Sequence, residues 1–298
     1  MLIVQKIEQL TYRYNDARRT VGDFLLKERR KLNNYSMQEI ADATYTSKST
    51  LVRVAKNLGF SGWTDFISRY KQEIVYMDNH LQDGDMNIPF SQNDTYMQIA
   101  GKINTIKTIS MKETLELLDE YSLTKAADIL KSANRVCMFG VSVNSFLAQL
   151  FQHKMIQIGK PVEIITQSEM KLLSYTLKKG DCAIIISYSG NDENRMPISL
   201  PRELKMADVS IIGITSLGEN LLRNSADCTL SIASRERLYS KIASYATESS
   251  IALLLDILYS CYFNVEYDKN MEYKIDISRK VERNRVSTSE GIMEENTK

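Results

Sequence analysis

From Asn134 onward, five short apolar runs, at 136–139, 162–165, 182–187, 210–214 and 229–232, alternate with segments of helical pattern at 145–158, 169–177, 194–206 and 218–223. Each run is about the length of a strand. Strands that alternate with helices imply a parallel sheet covered on both faces, so this half of the chain is expected to form a five-stranded, doubly wound α/β domain of flavodoxin-like type. A long apolar helix over 246–263 is expected after the fifth strand. It offers either an interface or a surface buried within its own domain.

The first 76 residues read differently, with helical periodicity, few breakers and no strand-like alternation. The segment 77–98 is polar and rich in turn formers, and a short helix is expected over 94–105. The expected organisation is therefore an all-α domain at 1–77, a linker at 78–105, an α/β domain at 106–285 and a disordered tail at 286–298. A length of 298 residues, 43% of them hydrophobic and 25% charged, suits two globular cores.

The first ten residues lack the features of a secretory signal. The longest apolar runs fall far short of the ~18 to 20 residues that cross a bilayer. Cys137, Cys182, Cys228 and Cys261 are widely spaced with no CxxC pair, and read as reduced core thiols of a cytoplasmic protein. No metal or cofactor is expected.

The formal net charge of +1 hides an asymmetry, since residues 1–77 carry 13 Lys and Arg against 8 Asp and Glu. An excess of five suits a phosphate-bearing partner, although many surface helices show as much. Within this region Ser36-Met37-Gln38-Glu39 fits a capping box that starts a helix. That helix ends at Thr44-Tyr45-Thr46, and Ser47 is placed to cap a second one running through Asn57. Leu51, Val54 and Leu58 fall on the core face of the second helix, which leaves Lys48, Ser49, Thr50, Arg53 and Lys56 outward or on its flank. Gly59 is free to take a left-handed C-cap. Two short helices and a tight turn offer a face that a major groove accepts, with Lys48 and Ser49 nearest base edges, Thr50, Arg53 and Lys56 on phosphates or bases, and the capping Ser47 completing the DNA-binding set. The ordinary alternative is a helical hairpin with a basic face and no nucleic-acid role.

Residues 36–66, SMQEIADATYTSKSTLVRVAKNLGFSGWTDF, resemble the N-terminal domain of the RpiR family of bacterial regulators. The resemblance implies duplex DNA as a partner.

The three strand-to-helix turns of the second half lie at the C-terminal edge of the expected sheet, where open α/β domains bind ligands. Gly140, Ser142, Asn144 and Ser145 follow the first strand; Ser187, Tyr188, Ser189, Gly190 and Asn191 follow the third; Thr215 closes the fourth. Hydroxyls, a permissive glycine and free helix N–H groups there can converge on an anion, though each turn alone is also an ordinary helix cap. Residues 106–285 resemble the sugar isomerase (SIS) domain, whose members bind phosphosugars, and in RpiR-type regulators that domain follows the helix-turn-helix as it does here. The resemblance implies a transcriptional regulator of carbohydrate metabolism controlled by a sugar phosphate or related metabolite and acting as a homodimer or homotetramer.

Ser142 and Asn144 stand where the family usually has a second glycine and a serine, and Asp192 where a threonine is common. This implies an effector unlike a typical phosphosugar, or a degenerate pocket. Lys241 is either the cation that offsets the anion or a solvated surface lysine. The alternative activity, aldose–ketose isomerisation, needs a general base. The candidates His153 and Glu169 read as a helix-face residue and a solvated carboxylate, and His80 falls in the linker. A third reading, a helix-turn-helix used only for protein contact, predicts no salt-sensitive affinity for duplex DNA.

Overall fold

The computed structural model describes residues 3–79 and 85–282. The tail at 286–298 and His80 lie outside the described residues. The chain opens with α1 (Ile3–Arg13), α2 (Ala17–Lys27), a 3-10 helix (Arg29–Asn34), α3 (Met37–Ala43), α4 (Lys48–Asn57) and α5 (Trp63–Asn79). These helices share a core in which Val21, Leu25, Leu32, Ile40, Leu51, Val54, Phe66 and Tyr70 are buried. Each aliphatic side chain so buried is worth roughly 1.5 to 3 kcal/mol relative to exposure. Glu73 on α5 closes the unit, because its carboxylate accepts the N–H groups of Ile3 at 2.6 Å and Val4 at 2.8 Å. Those are orphan donors in the first turn of α1.

Two helices, α6 (Tyr96–Glu116) and α7 (Glu120–Ser132), lead into the sheet. Then follow β1 (Val136–Phe139), α8 (Val143–Ile156), β2 (Glu163–Ile165), α9 (Met170–Ser174), β3 (Cys182–Ile186), α10 (Pro201–Met206), β4 (Ser210–Ser216), α11 (Leu221–Ser225), β5 (Cys228–Ile232), α12 (Tyr245–Val265) and α13 (Tyr267–Val281). The strands lie in the order β2-β1-β3-β4-β5, all neighbours parallel, which is the expected doubly wound sheet. Alternation sorts the side chains between two faces. Val136 and Met138 pack under α7, α8 and α12, while Cys137 and Phe139 pack under α9, α10 and α11. The buried thiols behave as core groups: desolvation pushes Cys137 up to about 12 and Cys228 up to about 11. Cys261 is half-buried. No helix among the described residues is long and apolar enough to cross a membrane.

Two expectations need correction. The described part of the segment 78–105 is not a loose linker, since Met86 and Asn87 are buried and the expected short helix is the 21-residue α6, which runs through the expected boundary at 105. Polar bonds hold α6 to the second half: Ser110 Oγ lies 2.6 Å from Ser250 Oγ, and Thr114 Oγ1 accepts the Ala233 N–H at 3.2 Å. The helix expected over 194–206 exists only from Pro201, at its first turn. Pro197 and Pro201 account for this, because proline is tolerated at a helix start but disrupts the interior. Of the two uses open to the apolar face of α12, burial within its own domain is the one seen, with Ile251, Leu254, Leu255 and Leu258 buried.

Candidate functional site

Local rules build the first half of the site. Ser36 Oγ accepts the Glu39 N–H at 3.2 Å and Glu39 Oε2 accepts the Ser36 N–H at 2.7 Å, completing the expected capping box of α3. The bonds to Ser36 hold the Glu39 carboxyl below its ordinary value. Thr44 Oγ1 donates to the Ile40 carbonyl at 2.7 Å, Tyr45 turns the chain with φ +51°, and Thr46 N–H closes on the Ala41 carbonyl at 2.8 Å. Ser47 then caps α4 by accepting the Thr50 N–H at 3.2 Å. The same hydroxyl lies 2.7 Å from Ser49 Oγ and 3.1 Å from Thr50 Oγ1, so three hydroxyls gather at the first turn of the helix.

Leu51, Val54 and Ala55 are buried, which fixes the rotation of α4. Lys48, Ser49, Arg53 and Lys56 are consequently exposed and Thr50 is half-buried. None of these three cations has an ion pair among the described residues. Gly59 takes φ +88° directly after the helix, as expected of a C-cap. Two residues of this face have no local signature. Tyr45 stands 97% exposed at the entrance to α4, a large aromatic in a conformation that favours glycine. Lys6, far off on α1, donates to the Leu58 carbonyl at 3.3 Å and so places a cation at the negative end of α4. Burial lowers its pKa.

At the sheet edge, Asn144 Nδ2 donates to the Ile186 carbonyl at 3.3 Å and joins the turn after β1 to the end of β3, where the strand order reverses. Gly140 is buried beneath Asn144, and Ser142, with φ +54°, is exposed at the start of α8. The next turn is a packed loop. Ser187 Oγ accepts the Gly190 N–H at 3.3 Å, and the Tyr188 carbonyl accepts Ser216 N–H at 3.0 Å and Thr215 Oγ1 at 3.2 Å. Thr215 is fully buried, so its hydroxyl supports this loop from beneath.

The helix N–H groups expected to face an anion are differently disposed. No helix follows Gly190 directly; the start of α11 is brought to it instead, with Leu222 N–H on the Gly190 carbonyl at 3.1 Å and Leu221 N–H on Asn191 Oδ1 at 3.3 Å. Those donors are occupied. The hydroxyls of Ser142, Ser145 and Ser189 have no protein partner among the described residues and remain as donors along the edge. Asp192, which stands where a threonine is common, is exposed, and the Arg195 guanidinium lies 3.5 Å away.

Lys241 is half-buried, 3.5 Å from the fully buried Glu236 carboxylate. It is therefore not a freely solvated lysine. Glu236 also accepts Ala246 N–H at 2.6 Å and Thr247 Oγ1 at 2.8 Å, and burial raises its pKa. Tyr188 Oη donates to the Ser234 carbonyl at 2.9 Å, linking the loop after β3 to this segment. The acid–base candidates lie elsewhere: His153 is exposed and paired with Gln157 at 3.0 Å, and Glu169 is exposed and accepts from Thr166 at 3.0 Å. Among the described residues, no group of His, Cys, Asp and Glu is arranged to hold a metal ion.

Comparison with known proteins gives two family matches. A model described as a helix-turn-helix domain of the rpiR family matches residues 1–76, and one described as a SIS domain matches residues 129–259. The chain is similar to an HTH-type transcriptional regulator of Caldanaerobacter subterraneus, 23% identical over 272 residues that span 91% of this chain and 94% of the relative. A second, from Clostridium perfringens, is 22% identical over 92% of this chain and 97% of its own length. Among solved structures, the Vibrio vulnificus NanR protein complexed with ManNAc-6P superposes with a TM-score of 0.59 at 18% identity, covering 96% of this chain and 100% of that one. The sugar isomerase domain of an RpiR transcription factor from Sphaerobacter thermophilus gives 0.53 at 15% identity, covering 61% of this chain and 99% of its own.

Proposed function

We propose that this chain, which belongs to the RpiR-type helix-turn-helix transcriptional regulators carrying a SIS domain, reads its operator through Ser47, Lys48, Ser49, Thr50, Arg53 and Lys56. The observation that carries this is the orientation of α4. Its apolar side is buried, and three cations with no ion pair among the described residues stand exposed beside a cluster of hydroxyls at its first turn. That is the equipment of a recognition helix, with charge for phosphates and hydroxyls near base edges.

The ligand is read as a phosphorylated sugar or related metabolite at the sheet edge, held by the hydroxyls of Ser142, Ser145 and Ser189 with Lys241 as its cation. Gly140, Asn144, Ser187, Gly190, Asn191 and Thr215 shape and brace that edge. The likeness in fold to NanR, whose structure holds ManNAc-6P, supports this reading. The protein acts in the cytoplasm as a homo-oligomer that regulates genes and not as an isomerase, in keeping with its regulator relatives. Operators of such proteins pair two half-sites, which calls for two copies. Val143, Phe146 and Leu150, exposed at i, i+3 and i+7 on α8, form an apolar strip suited to a second copy.

The test is binding of purified protein to fragments of its own upstream region, at fixed salt, with a panel of pentose and hexose phosphates that includes ManNAc-6P. A specific complex altered by one compound supports regulator and effector class together. Specific binding that no compound changes removes the effector, and no specific binding removes the regulator.

A further inference from the structure

The segment between β5 and α12 is held by groups from three other parts of the chain. Glu8 on α1 is buried, and its carboxylate accepts the Leu238 N–H at 2.8 Å, across a separation of 230 residues. Asn87, in the stretch leading to α6, accepts the Arg237 N–H on its side chain at 2.6 Å and the Ile242 N–H on its carbonyl at 2.8 Å. From the sheet edge, Tyr188 reaches the Ser234 carbonyl. Within the segment Lys241 pairs with Glu236, and Glu236 is tied to the first residues of α12.

Side chains on the DNA-reading unit, on the stretch after it and on the ligand-facing loop therefore all bond to residues 234–242. These bonds are directional and short, so a shift of the segment by an ångström or two breaks some of them. Glu8 faces Arg237, Lys241 and Arg29, which hold its charge inside, while burial raises its pKa.

We propose that residues 234–242 are the element through which an occupied pocket resets the DNA-reading unit, with Glu8 as the positioning residue on the receiving side. An anion that draws Lys241 from Glu236 pulls on the backbone three residues from Leu238, and the bond to Glu8 is the one that must give or follow. This rests on the reading of the sheet edge as the ligand site. Both ligands then bias one physical element, which is what a coupling free energy between two sites requires.

The experiment uses the full chain and follows amide hydrogen exchange at Leu238, with the core amide of Leu254 as internal reference, alongside affinity for an operator fragment. In Glu8→Ala, exchange at Leu238 is expected to rise at least tenfold with Leu254 unchanged, and ligand-free operator affinity to change at least threefold although no residue of the DNA face is altered. In the wild type, the panel compound that shifts operator binding should also speed exchange at Leu238, and in Glu8→Ala its effect on the operator should vanish. Glu8→Gln, which keeps an acceptor for Leu238 but removes the charge, should move affinity in the same direction by less, and it decides the matter if the alanine variant fails to fold. Leu238 opening with operator affinity unchanged overturns the proposal, as does a Leu238 amide indifferent to residue 8. A wild type that binds no duplex, or binds one that no compound alters, defeats the regulator or effector reading and the proposal with it, and is told apart because Leu238 remains protected through Glu8.

Discussion

The side-chain oxygen of Asn220 occupies the space that a Cβ on residue 190 would need: a Cβ built on Gly190 lies 2.4 Å from Asn220 Oδ1 and 2.7 Å from Thr215 Oγ1. Asn220 cannot simply swing away, because the same oxygen accepts the Arg223 N–H at 2.9 Å and caps α11. Residue 190 also has φ +62°. Gly190→Ala thus combines left-handed strain with overpacking and is expected to destabilise the fold by about 2 to 4 kcal/mol. Urea denaturation measures this directly, and a loss under ~1 kcal/mol would mean that the loop relaxes away from Asn220.

Arg53 is exposed on α4 and carries no structural bond among the described residues. Arg53→Ala should leave the thermal midpoint where it is and weaken operator binding by about tenfold to a hundredfold. If the guanidinium rests on a phosphate, the slope of log affinity against log salt should fall by about 0.9. Titrations at several salt concentrations separate the two kinds of contact, since a lost base contact leaves the slope alone.

Tyr45 holds φ +51° while 97% exposed, so its ring gains little from the fold to offset the strain. Tyr45→Gly is expected to raise stability by about 0.5 to 1 kcal/mol, the left-handed penalty outweighing the entropy that glycine loses on folding. A drop in the thermal midpoint would show that the tyrosine is held by packing instead.

Burial lifts the Glu73 carboxyl above its ordinary value of 4.5, even though it accepts two N–H groups from α1. The folded chain therefore binds this proton more tightly than the unfolded chain. The group's contribution to stability is full below the unfolded value and declines as pH rises through the raised folded value. Glu73→Gln cannot titrate, so the stability of wild type relative to this variant should fall as pH increases from 4 toward 7 and then level off. Denaturation midpoints of both proteins across that range supply the comparison, and a constant difference would place the raised pKa in doubt.

The helix-turn-helix was legible because its signals are local. Ser36, Glu39 and Ser47 cap helices within three or four residues of themselves, and Leu51 and Val54 state the buried side of α4 by spacing alone. β1, β3, β4 and β5 were legible because a strand buried on both faces is an apolar run, while the edge strand β2, exposed at Glu163, shows it only in part. Their order follows from the doubly wound pattern. The extent of α6 was not legible, since Ser110 and Thr114 look like surface polar residues until partners more than a hundred residues away bury them. Lys6 and Glu8 were hidden for the same reason, each finding its role in a distant segment. The short α10 could have been foreseen from Pro197 and Pro201.

The hydroxyl stitching of α6 bears on how such proteins are shuffled over generations. A recombination event that exchanged DNA-reading units at the end of α6 would give the recipient a foreign helix, and one without hydroxyls at 110 and 114 would leave Ser250 and the Ala233 N–H in a core with unsatisfied polar groups. A crossover upstream of Met86 carries α6, Asn87 and the whole ligand-reading half across together. The inheritable module therefore begins well before the first strand, and lineages that trade operators while keeping their effector should show their breakpoints there.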